Sequence, residues 1–260
     1  TAGTDALLDR IQAAGNGNID VVALTGRVDL NKEVSTADGN ISVTANTNLT
    51  LADAANVTAA GAGDLSLEAT QGQLTQGALA VINGGTGSVS LSAGTDAVLN
   101  RILTDGNGDI DVVALTGRVD LNNELSTADG DINVTANTDL TLADAANVTA
   151  AGVGNIRLDA TRGLFAQALG GGIEGGTGNV DVLAGSNATV QRVRTAGNGN
   201  LGIVSRDGNV FLQNDLDTAE GSINILAQRN VLIAATSDIT AVGEGDIRIR
   251  TLQDSVVQSQ

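Results

Sequence analysis

Residues 35–61 read STADGNISVTANTNLTLADAANVTAAG, and residues 126–152 read STADGDINVTANTDLTLADAANVTAAG. The second copy starts ninety-one residues after the first, Ser126 against Ser35, and differs only in Asp131 for Asn40, Asn133 for Ser42 and Asp139 for Asn48. A catalytic centre is built once, in one place. A duplication that retains surface residues as well as core residues points to repetition as the property being built.

Inside the copy, apolar and polar residues alternate: Ile41, Ser42, Val43, Thr44, Ala45, then Leu49, Thr50, Leu51 after a turn at Asn46–Asn48. A further turn holds Asp53 and Asn56, and a third short strand is expected near Val57 to Ala59. Period-two alternation turns one side of each strand inward and the other to water. The pattern argues against helix, because apolar spacing of three and four is missing and Gly, Asn and Thr are poor helix residues.

A short motif sets the unit length. Gly followed by Asn, Asp or Ser and then an aliphatic residue occurs at Gly17, Gly39, Gly63, Gly87, Gly108, Gly130, Gly154, Gly178, Gly199, Gly221 and Gly245. Its spacings run 22, 24, 24, 21 and then begin again. Three strands and three corners in such a unit describe one coil of a β-solenoid, whereas a propeller blade needs about 40 residues. The prediction is an all-β chain of about eleven coils, wound as a right-handed parallel β-helix because parallel crossovers take that hand. It forms one continuous solenoid with superrepeats at 1–91, 92–182 and, incompletely, 183–260.

Stacking places matched residues about 4.8 Å apart. Ile19, Ile41, Leu65, Val89, Ile110 and Ile132 are expected to form one inward ladder, and Val28, Leu49, Val119, Leu140 and Val210 part of another. Eleven rises give a rod of roughly 50 Å. Neither end of the sequence shows the polar cap that repeat proteins need for solubility. The chain starts with Thr. It is therefore read as a piece of something longer, or as a unit that stacks end to end.

Composition narrows the function. The 260 residues include no Cys, His, Met, Trp, Tyr or Pro and only two Phe, so Val, Ile, Leu and Ala must fill the interior. Thirty acidic against 13 basic residues leave a net charge of −17, which argues against nucleic-acid partners and anionic lipid. No apolar run approaches the length of a membrane span. Without His or Cys, and with Lys32 as the only Lys, the hydroxyls have no activating base. Paired carboxylates remain conceivable catalysts, but the near-constant coil length leaves no inserted loop to shape a cleft. No catalytic residue and no cofactor is therefore assigned.

Two stretches resemble calcium-binding nonapeptides, GNGDID at Gly106 and GEGDIR at Gly243. The element comes once per coil rather than in tandem, so the plainer reading is a Gly turn at positive φ followed by a polar corner. Asn-x-Ser/Thr occurs at Asn40, Asn48, Asn56, Asn133, Asn147 and Asn187, as glycan acceptors or by composition alone. Asn56 and Asn147 are expected at corners, bonded to stacked backbone. The outward row Asp29, Thr50, Val98, Asp120, Thr141, Thr189, Phe211 is too mixed for an ice-binding face. It does place Phe211 toward solvent, as parity also places Leu232, and the pair is the candidate assembly contact.

The Gly-Asn-Ile-x-Val-x-Ala coils, rich in Asn, Thr and Gly and free of Cys, resemble the repeat regions of filamentous-haemagglutinin-like exoproteins and other giant β-strand-repeat proteins of bacterial surfaces. The resemblance covers the whole chain. It implies an extracellular, elongated, right-handed β-helical shaft serving a surface fibre, adhesion or biofilm. Partners would be neighbouring coils of the same or identical chains. The alternative is an adhesive module that contacts glycan or matrix, or that self-associates.

Overall fold

In a computed structural model, which describes residues 1–259, the chain is an all-β solenoid with no helix. Thirty-four short strands form three parallel sheets of 12, 11 and 11 strands, and every third strand along the chain joins the same sheet. Each coil contributes a five-residue strand, such as Ile41–Ala45, and two shorter ones, such as Leu49–Leu51 and Val57–Ala59. These three are the strands expected from the alternation in residues 35–61. We call the sheets first, second and third in that order.

The register follows the repeat. Ile19 pairs with Ile41, Ile41 with Leu65, Leu65 with Val89, Val89 with Ile110 and Ile110 with Ile132. All six are buried. The second-sheet ladder runs from Val28 through Leu49, Leu74, Ala97, Val119, Leu140, Phe165 and Ala188 to Val210. Phe165 is the largest side chain in the core and is fully buried. Small Ala188 in the next coil makes room for it, as Ala97 follows Leu74 one superrepeat earlier. One aromatic ring is thus accommodated in a stack otherwise built of aliphatic layers.

Among the described residues Gly15, Gly85, Gly106 and Gly197 sit at positive φ, so the turn expected at Gly106 is present, while Gly243 and the motif glycines do not take that conformation. The motif position is Gly because of close approach. A Cβ on Gly130 would fall on the carbonyl oxygen of Gly108, and the same holds between motif glycines from Gly39 to Gly245. The buried Thr36, Thr127 and Thr218 hydroxyls donate to the carbonyls of Gly39, Gly130 and Gly221 at 2.5–2.6 Å.

Two buried glutamines add polar pins at matching places in the superrepeat. Gln76 Nε2 donates to the carbonyls of Ala80 and Arg101, and its Oε1 accepts from the Asn100 amide. Gln167 repeats this with Gly171, Arg192 and Gln191. In the last coil the inward-facing positions Ile247 and Val256 stand open, 44% and 46% exposed.

Candidate functional site

The residue after each motif Gly builds the most regular feature of the surface. Asn18 Oδ1 accepts from the backbone N–H of Asn40 at 2.8 Å, and Asn40 Oδ1 from that of Asp64 at 2.9 Å. The chain of bonds continues through Ser88, Asp109, Asp131, Asn155, Asn179, Asn200 and Ser222 to Asp246. Each corner amide that the sheets leave unpaired is satisfied by the side chain one coil earlier, which is why only short acceptors occupy this position. A second, interrupted ladder runs down the next corner, with Asn187 Oδ1 bonded to Asn209 N–H and Asn209 Oδ1 to Asn230 N–H.

These ladders absorb most of the polar motifs. At the calcium-like stretches, Asp109 Oδ1 is taken by the Asp131 amide at 2.7 Å, and Asp246 pairs with Arg248 at 2.9 Å. Among the described residues no group of three or more potential ligands is placed to hold a metal ion. Asn40, Asn48, Asn56 and Asn187 each accept a backbone N–H from the following coil. Asn147 does not take the corner place expected of it. It opens the strand Asn147–Ala150 and pairs in register with Gly172, whose N–H goes to the Ala146 carbonyl.

Charged pairs on the outside link neighbouring coils or brace a single coil. Arg10–Glu33 at 2.7 Å recurs as Arg101–Glu124 at 3.0 Å, one superrepeat on. Hydrogen bonding to Arg10 holds the Glu33 carboxyl below its ordinary range. Arg27–Asp29 likewise recurs as Arg118–Asp120, both at 2.9 Å. The third superrepeat breaks this last pattern, with Asn209 and Phe211 in the same two positions.

Phe211 and Leu232 do stack on each other on the outer side of the second sheet, and Val257 follows Leu232. Both are half-buried, while Val257 is 48% exposed. Across the intervening corner, Leu183, Val204 and Leu226 form a parallel outward row on the first sheet. Positions that hold Asp, Thr or Ser in the earlier superrepeats have become apolar here, with Asp120, Thr141, Thr135 and Ser92 matching Phe211, Leu232, Leu226 and Leu183. No known protein family matches the chain, and neither a curated protein nor a solved structure does.

Proposed function

We propose that the chain is a rigid shaft or filament segment of an extracellular bacterial surface fibre, of the filamentous-haemagglutinin-like kind, and acts mechanically rather than catalytically. The observation that carries this reading is the corner ladder, which runs from Asn18 to Asp246 without a missing bond. Together with three sheets that continue through every coil, it resists bending at the corners, where a solenoid is weakest. Each coil pairs its strands with those of the coils before and after it, so length scales with repeat number and a duplicated superrepeat fits at once. The shaft needs no cofactor, and the acidic surface keeps an elongated particle dispersed.

Electron microscopy of the native material tests this. Straight thin rods or filaments, with length set by coil number, support the shaft; compact or bent particles overturn it. A second reading, lateral assembly, is favoured by the Phe211–Leu232 stack. Sedimentation velocity then gives a concentration-dependent species that Phe211→Asp removes. An unchanged profile in that variant would exclude the contact.

A further inference from the structure

One coil departs from its counterparts on the outer face of the first sheet. The second position of each five-residue strand points outward and carries Asp20, Ser42, Ser66, Ser90, Asp111 and Asn133 in the early coils. In the third superrepeat the counterpart of Asp20 and Asp111 is Gly202. Gly202 lies in the floor of a notch of about 510 Å³ that extends over the coils on either side, within the ~300–1,000 Å³ range of ligand pockets.

The walls of the notch are chemically distinct. Asp181 lies one coil before Gly202 and Asn224 one coil after, so their strand positions are roughly 10 Å apart. The Asp181 carboxylate leans over the vacancy, since a Cβ on Gly202 would collide with its Oδ1. Val204 and Leu226 form an apolar flank, and Arg248 and Arg250 close the far end. Among the described residues Asp181 and Arg250 have no ion-pair partner, while Arg248 is held by Asp246. A carboxylate and a guanidinium thus face one space with neither held in an ion pair.

We propose that this notch binds an acidic sugar unit, a uronate of a polysaccharide. The backbone floor at Gly202 spends its N–H and C=O groups on the parallel ladder, so an incoming peptide finds no main-chain partners. What the notch offers instead suits a pyranose. Asp181 accepts from a hydroxyl, and the Asn224 amide both donates and accepts. Val204 and Leu226 cover the C–H face of the ring. The Arg250 guanidinium takes the carboxylate through its fork of donors. This role goes beyond the shaft, which stands whether or not the face is inert.

Isothermal titration with glucuronate and galacturonate trimers, and with their methyl esters, tests the assignment. At least one acid trimer is expected to bind saturably at low salt and its ester at least tenfold more weakly. Gly202→Asn fills the notch with a residue the row already carries at Asn133 and Asn224, and Arg250→Gln removes the charge without shortening the side chain. Each is expected to weaken binding at least tenfold with an unchanged unfolding temperature. Failure of both trimers to bind wild-type protein overturns the proposal. So do variants that melt normally and bind as well as wild type. A Lys-Ala-Leu-Ala-Glu peptide that binds with the same dependence on Gly202 and Arg250 assigns the notch to peptide instead and overturns the sugar.

Discussion

Arg206 reaches back across a whole coil to clasp Asp159, forty-seven residues earlier, with Nη1 to Oδ1 at 2.9 Å and Nη2 to Oδ2 at 3.0 Å. Arg157 donates to the same carboxylate at 3.0 Å, so a side chain only 10% exposed is held by two guanidinium groups. Bonding to Asp159 raises the already high Arg206 pKa, so the guanidinium keeps its charge at every working pH. Every other ion pair among the described residues joins residues of one coil or of adjacent coils. This one spans a third coil lying between its two partners.

Arg206 replaces Leu24 and Leu115 of the earlier superrepeats, both exposed. Arg206→Leu therefore restores a residue this fold already accommodates and removes only the clasp. With the guanidinium partly exposed and Arg157 remaining, the expected loss is roughly 1 kcal/mol, the upper range for surface pairs. Urea midpoints of the two proteins, compared at low and high salt, measure it. No change in midpoint would make the clasp incidental.

Phe165 and Ala188 are a matched pair by volume. Phe165→Leu recreates the Leu74–Ala97 pair that the same ladder uses ninety-one residues earlier, so the loss is held to about 1.5 kcal/mol. Ala188→Leu, by contrast, adds volume on the second side of Phe165, whose other side already meets Leu140, and is expected to cost about 1–3 kcal/mol. Combining them relieves part of the strain, giving a coupling of about 0.5–3 kcal/mol in a double-mutant cycle. Strict additivity of the two unfolding free energies would show that they do not share the space.

Alternation and the Gly spacing carried the fold. Strands, register and inward ladders were legible at Ile41–Ala45 because a period of two survives every substitution among Ile, Val and Leu. Phe165 obeys the same parity and could have been placed inside by aligning it with Leu49 and Leu74. Gln76 and Gln167 were not legible, since an amide at an inward position reads as a break in the pattern until its backbone partners are known. The motif Gly was legible as a position but not as a cause, because a residue excluded by a neighbouring coil's carbonyl and one selected for positive φ look alike in sequence. The Gly202 notch was hidden for a related reason: a loss of side chain in one row has meaning only beside the Asp181 and Arg250 that the stacking brings to it.

Glu33 links acidity to stability. Arg10 donates to its carboxylate from Nη2 at 2.7 Å and from Nε at 3.2 Å, and Gln12 adds a bond at 3.1 Å. The folded-state pKa is lowered, chiefly by the Arg10 hydrogen bond. A depressed carboxyl contributes stability above its unfolded value of about 4.3, and that contribution is lost as pH falls through the folded value. Glu33→Gln is therefore expected to be less stable than wild type near neutrality and equal to it in strong acid. Urea titrations across this window check the sign, and a difference that grows as pH falls would refute it.

The two classes of glycine separate in one further experiment. At Gly130 an added methyl meets the Gly108 carbonyl, a backbone group fixed by the sheet on either side, so the coils must part for Gly130→Ala to fold. The expected loss exceeds about 4 kcal/mol, within the exceptional range for a single substitution, and soluble yield should fall with it. At Gly106 the φ is +63° and the nearest atom to an added Cβ lies 3.6 Å away. Gly106→Ala then bears only the left-handed penalty of about 1–2 kcal/mol. Thermal unfolding of both variants ranks them. Gly106→Ala falling as far as Gly130→Ala would mean that turn conformation, rather than the distance between coils, is what the repeating glycine protects.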